Sequence, residues 1–370
     1  MSDRPLHPVQ RLHLEELNGP LGIWQHARGV MPDESFGYCT DDVARALRVD
    51  LLQRRVLGWE RVSPSAWRSL TFLAEAFDPA SGSFRNFRSA DGSWLDTIGS
   101  EDSQGRAVLA LAHAAVEAPE VPMREAAGSL FLRSLPRVGW LTALRAVSSA
   151  TLACDAALAG GLGGETERTF VRLSGRLRRA FAGVDLEGDW PWPEPILTYE
   201  NALLAHALIV AGGRLADARL RRTGLVALDW LIRVQTSRAG EFSPVGSDGW
   251  WPRGGTRSRF DQQPIEATAM VLACNAAFAA TDSERYRRNA EVAYRWFLGD
   301  NDARIPLADV ATGGCCDGLS AQRANRNQGA ESTLMWLTAL ETIRLLRPQG
   351  RQAPARRARA AAEFPAGLRP

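Results

Sequence analysis

Five carboxylates stand at the head of apolar, alanine-rich stretches of this 370-residue chain: Asp42, Asp102, Glu200, Glu266 and Glu331. The gaps between them are 60, 98, 66 and 65 residues, and the long gap contains a further such stretch, near Leu141, with no acid at its start. Carboxyl groups gathered in pairs do acid–base chemistry. One, in its protonated form, gives a proton to a leaving oxygen while its partner activates water or attacks directly. An acid in the first turn of a helix is also favoured by the free N–H groups and the macrodipole there, whatever the protein does. Two of the starts are doubled, Asp41-Asp42 and Glu101-Asp102, where a cap needs only one acid.

Aromatic and amide residues crowd the same regions. Tyr38, Trp94, Trp190, Trp192, Trp250 and Trp251 fall in the segments ahead of the acids, out of 12 tryptophans in all. Asn201, Gln262, Gln263, Asn327, Gln328, Arg45 and Arg106 lie close to them in sequence. A pyranose ring has an apolar face that stacks on indole and a rim of hydroxyls that pairs with carboxylates, amides and guanidinium groups. The residue types therefore suit a sugar. Loop aromatics have a second ordinary use, pinning a loop to the body of the protein.

What must position these residues is helical. Trp67, Leu70, Leu73, Ala74 and Phe77 recur at helical spacing behind Ser63-Pro64; so do Phe170, Leu173, Leu177 and Phe181, and again Tyr286, Ala290, Ala293 and Phe297 behind Ser283. These are one-sided helices for an outer layer. The stretches 108–116, 202–211, 265–280 and 334–346 are apolar or small nearly all round, which predicts burial on every face. The two kinds alternate. Outer candidates begin near Pro8, Pro64, Pro122, Gly164, Arg214 and Ser283, inner ones near Asp41, Glu101, Leu141, Tyr199, Pro264 and Gly329. Six helix pairs can close into a ring with the inner helices on the axis. The long connections, 18–40, 78–100, 183–198, 239–263 and 299–328, then fall at one end, with tight turns expected at Asp91-Gly92-Ser93-Trp94 and Asp248-Gly249-Trp250. Counted around such a ring, Asp42 faces Glu200 and Asp102 faces Glu266. Opposed carboxyls with water between them favour inversion, with Glu266 or Glu200 as the proton donor. Residues 348–370, rich in proline, alanine and arginine, read as a disordered basic tail behind a single domain over 1–347.

Composition excludes several other chemistries. All 44 basic residues are arginine, so there is no P-loop lysine, no Schiff-base lysine and no lysine nucleophile. Net charge is +2 and the arginines are spread through the body, which argues against nucleic acid as a partner. The 5 cysteines form no CxxC pair, and Cys315-Cys316 reads as reduced thiols in a glycine turn. No metal-ligand spacing occurs, so no metal and no cofactor are expected. His113 and His206 lie mid-helix and read as core residues. Residues 1–20 have no apolar core of a signal peptide, and no run of eighteen apolar residues suggests a membrane span. The expected setting is the cytoplasm.

Several runs resemble a known group of domains. They are Phe36-Gly37-Tyr38-Cys39-Thr40-Asp41-Asp42-Val43-Ala44-Arg45-Ala46-Leu47, Glu101-Asp102-Ser103-Gln104-Gly105-Arg106-Ala107, Leu197-Thr198-Tyr199-Glu200-Asn201-Ala202, Phe260-Asp261-Gln262-Gln263-Pro264-Ile265-Glu266 and Asn327-Gln328-Gly329-Ala330-Glu331-Ser332. Together, over 36–346, they resemble a bacterial six-hairpin (α/α) toroid glycosidase-like domain, of the kind found alone or fused behind a glycosyltransferase. Tyr199-Glu200-Asn201 departs from that group's Tyr-Asp-Asn and keeps the charge on a longer side chain. The resemblance implies an all-α (α/α)6 toroid and a carbohydrate-linked role. The expected catalytic residues are Asp42, Asp102, Glu200 and Glu266. Tyr38, Asp41, Trp94, Glu101, Arg106, Trp190 and Trp192 are expected at the substrate, with Tyr199, Asn201, Trp250, Trp251, Gln262, Gln263, Gln328 and Glu331. The leading reading is a glycoside hydrolase-like enzyme acting on a short oligosaccharide. The alternative is a noncatalytic glycan-binding partner of a separate glycosyltransferase. A terpene cyclase would require Asp-x-Asp-Asp or Asp-Asp-x-x-Asp, and neither occurs. A toroid epimerase would require histidine at the funnel, and none is evident there.

Overall fold

The computed structural model describes residues 6–347, so the 348–370 tail lies outside the described residues. Twelve α-helices occur among them: α1 (Leu12–Glu16), α2 (Thr40–Leu57), α3 (Trp59–Ala76), α4 (Glu101–Glu117), α5 (Val121–Val138), α6 (Leu144–Ala159), α7 (Glu165–Ala180), α8 (Ala202–Arg214), α9 (Ala218–Val234), α10 (Pro264–Thr281), α11 (Glu284–Arg295) and α12 (Ala330–Leu346). The even-numbered helices contact one another in the cycle α2, α4, α6, α8, α10, α12 and back to α2. Each of α3, α5, α7, α9 and α11 packs outside its predecessor. The outer place beside α12 is taken by the short α1 from the other end of the chain, and Arg344 Nη2 donates to the His7 carbonyl at 2.9 Å. This is the expected (α/α)6 toroid.

Side-chain size explains the two layers. Ala107, Ala110, Ala112 and Ala114 of α4 and Ala146, Ala150, Ala153 and Ala157 of α6 are all fully buried, so the inner helices sit close together. Gly105 marks the tightest approach, because a Cβ there would lie 2.9 Å from the Ala146 carbonyl oxygen. The outer helices bury one stripe. On α7, Phe170, Leu173 and Leu177 are inside, each contributing on the order of 1.5–3 kcal/mol, while Arg168 and Arg172 face out. By length and composition α10 could cross a membrane; it lies within the inner ring, between α8 and α12.

Two expected boundaries move, and a third holds without its expected bond. Helix α3 starts at Trp59 and carries Pro64 inside it. Helix α8 runs on through Arg214, and α9 starts only at Ala218, where the Asp217 carboxylate accepts from the Leu220 amide at 2.9 Å. Ser283 stands at the N-cap of α11 without a side-chain cap bond. The long connections hold short antiparallel pairs, Tyr38–Cys39 with Phe87–Arg88 and Ile196–Leu197 with Trp251–Pro252. Both expected turns form, with Gly92 at φ +91° and Gly249 at φ +95°.

Candidate functional site

All five long connections meet over the end of the ring where the inner helices begin. They enclose a cavity of about 460 Å³, within the range typical of small-ligand sites, roughly 300–1,000 Å³. Gln25 and His26 come from the first connection and Phe87 from the second. Tyr199 comes from the third, Trp250 and Gln263 from the fourth, and Asp317 and Gly329 from the fifth. The floor is made by helix starts: Asp41, Asp42 and Arg45 of α2, Asp102 and Arg106 of α4, Ile265 of α10, and Glu331 and Ser332 of α12.

Two arginines organise the acids. Arg106 Nη1 donates to Asp41 at 2.8 Å and its Nη2 to Glu200 at 2.8 Å, while Asp102 lies 3.6 Å away. One guanidinium thus ties α2 and α4 to the connection before α8, three positions round the ring from α2. Burial works against this charge, but Glu200, Asp41 and Asp102 together hold the Arg106 pKa well above its ordinary value. Arg45 donates to Asp42 at 2.8 Å and meets Glu331 at 2.8 Å. The second Asp42 oxygen accepts from the Cys39 thiol at 3.1 Å. Burial raises the Asp42 carboxyl above the usual range, with Glu331 and Asp41 adding to the effect and Arg45 opposing it. Asp102 accepts from the Tyr199 hydroxyl at 2.6 Å. Asp317, raised by burial, accepts from Ser332 at 2.6 Å and from the Gly329 amide at 2.9 Å.

Each member of the expected opposed pairs is bonded to another group: Asp42 to Arg45, Glu200 to Arg106, Asp102 to Tyr199 and Glu266 to the Glu200 amide. It is Asp41, and not Asp42, that shares a partner with Glu200. Glu200 lies ahead of α8, at φ +49°, and not in its first turn. Its amide donates to Glu266, which is 3 % exposed and lies outside the cavity lining. The second Glu266 oxygen accepts from Asn201 at 3.4 Å. Burial pushes the Glu266 carboxyl up to about 8. Glu200 is likewise outside the lining, but its carboxylate is bonded to Arg106, which lines the cavity.

Most of the other expected contacts serve the scaffold. Glu101 accepts from the Thr142 and Ala143 amides, at 2.7 and 2.6 Å, and so ties α4 to the turn just ahead of α6, the inner helix with no acid of its own. Tyr38 is fully buried and stacks on Trp24 at 4.2 Å. Trp94 packs on Phe72 and lies under Arg88 at 5.1 Å. Trp190, Trp192 and Trp251 gather round Trp230 of α9, with ring centroids 5.1, 6.2 and 6.1 Å from it, and pin two connections together. Asn201 is buried and bonded to Thr198 and Arg145. Gln262 joins Trp296 at 2.8 Å to Asp302 at 2.7 Å. The Gln328 carbonyl meets His13 at 2.8 Å. Asp41, Asp42, Asp102, Arg106, Tyr199, Trp250, Gln263 and Glu331 do line the cavity.

Sequence reasoning missed His26, Gln25, Phe87 and Asp317 at the cavity, and Arg145 beneath it. Arg145 is 6 % exposed and holds Tyr199, Glu194, Thr198 and Asn201 at once. Its signal was an arginine in the first turn of an otherwise apolar inner helix. His26 has no helical pattern to mark it; the hairpin pairing His26–Arg28 with Met31–Asp33 puts it there. Among the other histidines, His113 pairs with Glu117 at 2.8 Å, and burial lowers His206 to about 4.

No family model matches this chain, and no curated protein matches it in sequence. Solved structures do match in fold. A cellobiose 2-epimerase from Bacillus thermoamylovorans aligns with TM-score 0.71 and 12% identity over 92% of this chain and 96% of its own. A second, from Spirochaeta thermophila, aligns with TM-score 0.69 and 14% identity over 89% and 92%. An α-1,6-mannanase of a Salegentibacter species aligns with TM-score 0.63 and 10% identity over 91% and 96%; that structure is an inactive variant, with two consecutive aspartates replaced by alanine, in complex with α-1,6-mannotetrose.

Proposed function

We propose that this chain is a carbohydrate-active enzyme that binds a short oligosaccharide in the cavity and hydrolyses a glycosidic bond. One observation carries the reading. Carboxyls from three inner helices share a cavity with the rings of Trp250 and Tyr199 and the amides of Gln25 and Gln263. Asp42 is the proton donor, because burial favours its neutral form. Asp102 is the partner carboxylate, oriented by Tyr199. Asp42 is paired with Arg45 and Asp102 lies 3.6 Å from Arg106; in an inverting reaction the first gives the proton and the second activates the water. The mannanase with two consecutive aspartates removed offers a parallel for Asp41-Asp42.

Reducing-sugar release from an oligosaccharide panel tests this, with Asp42→Asn and Asp102→Asn run beside the wild type. Each variant should lose activity by about 10²–10⁴-fold. Undiminished activity in both overturns the assignment. Binding without turnover in the wild type would instead leave a glycan-binding accessory, such as a glycosyltransferase partner.

His26 favours a second reading. An imidazole at the cavity beside Asp317 is suited to moving a proton at carbon, as sugar epimerisation requires. Incorporation of solvent deuterium at C2 of a reducing-end sugar, without bond cleavage, would select it.

A further inference from the structure

A second cavity, of about 610 Å³, is lined in part by the connection between α9 and α10, which also lines the first. Its walls carry Arg238, Arg257, Arg259 and Arg304 against two carboxylates, Glu241 and Asp302. The charges do not cancel. Arg259 pairs with Asp302 at 2.8 Å and Arg304 pairs with Glu241. Arg257 and Arg238 make no ion pair among the described residues. Arg257 is partly buried, its Nη groups donating to the carbonyl oxygens of Val234, Ser243 and Pro244 and to the Ser243 hydroxyl. Those acceptors satisfy hydrogen bonds but carry no net charge, and Arg257 Nε is buried with no partner at all. The carboxylate acting on Arg257, that of Asp302, is already paired with Arg259; Arg238 is exposed at the same cavity. Four guanidinium groups against two carboxylates leave the cavity with the electrostatics of an anion site, and the arginine fork matches carboxylate or phosphate geometry.

The two cavities are linked through the connection between α9 and α10. The Ser258 amide, between Arg257 and Arg259, donates to the Trp250 carbonyl at 2.9 Å, and the Trp250 ring lines the first cavity. Gln262, bonded to Asp302, is next in sequence to Gln263 of the first cavity.

We propose that this second cavity is an anion site for a carboxylate or phosphate group carried on a sugar. On the reading of the first cavity above, it is the subsite for an acidic unit of the glycan; as an anion site it stands without that reading. Calorimetric titration tests it on the full chain, with glucuronate, inorganic phosphate and glucose as probes. The variants are Arg238→Glu, at an exposed side chain, and Asp42→Asn. At least one anion should bind, and whichever does identifies carboxylate or phosphate as the source. Glucose should not bind at this site. Arg238→Glu should weaken the anion by tenfold or more while its thermal midpoint stays at the wild-type value, and Asp42→Asn should bind the anion as the wild type does. Raising the salt should weaken binding, because the attraction is between charges. The proposal is overturned if neither anion binds, if Arg238→Glu binds as well as the wild type, or if Asp42→Asn, which releases Arg45 in the first cavity, binds the anion markedly more tightly, which would put the anion in that cavity.

Discussion

Replacing Glu266 with glutamine should stabilise the protein, and by an amount that depends on pH in one direction only. Glu266 is 3 % exposed, and one of its oxygens accepts from the Glu200 amide. Burial raises its pKa from 4.5 to about 8. Below pH 4.5 the group is protonated both folded and unfolded, and it contributes no pH dependence. Between 4.5 and 8 the unfolded chain has released the proton and the folded one has not, so folded stability falls as pH rises. At about 1.4 kcal/mol per pH unit, the accumulated loss reaches about 3 kcal/mol by pH 7. Above the folded pKa both states are ionised and the loss levels off. Glutamine keeps the acceptor for the Glu200 amide and removes the titration. Urea unfolding of wild type and Glu266→Gln at pH 4.5, 6, 7 and 8.5 measures the difference directly. The variant's advantage should be near zero at the lowest pH, grow through neutrality and flatten above 8. A stability difference of the same size at every pH would refute the reasoning, because it would mean that Glu266 does not remain protonated through neutral pH.

Other outcomes follow from the same contacts. Arg145→Met should destabilise the fold by about 3–5 kcal/mol, since it strands Glu194 and frees the 194–201 connection; denaturant midpoints report it. Tyr199→Phe removes the hydroxyl that donates to Asp102, and should lower turnover about fivefold while leaving the thermal midpoint within a few degrees. Activity of the wild type should fall as pH rises through the Asp42 pKa, which burial places above the ordinary carboxylate range, and Asp42→Asn should abolish that limb of the pH profile. Trp250→Ala should weaken oligosaccharide binding about tenfold, whereas Trp190→Ala, in the cluster round Trp230, should act on stability.

The alternation of all-round apolar and one-sided helices was legible in the sequence because helical period and burial are both written in residue spacing. So was the gathering of the long connections at one end, which alternation imposes on any closed ring. The acids at inner-helix starts were legible as a set, because position along a helix determines which end of the ring a residue reaches. What each acid does was not. Asp41 and Asp42 are neighbours on the chain, yet one meets Arg106 and the other Arg45, since successive residues of a helix point about 100° apart. Glu101 turns to the amides just ahead of α6, while Asp102 turns to the cavity. Glu200, two residues ahead of its helix, takes a left-handed backbone that aims its amide at Glu266 and its carboxylate at Arg106. The aromatics divide in the same way: Trp250 reaches the cavity, and Trp251 beside it joins the cluster on α9.

The sequence by itself therefore determined the architecture and the end of the ring where chemistry would sit, because both follow from periodicities that each segment carries alone. Only the tertiary structure decided which carboxyls meet which guanidinium, and that His26 and Asp317 join them. Those contacts link residues up to hundreds of positions apart, and their geometry is set by how six helices close on one axis.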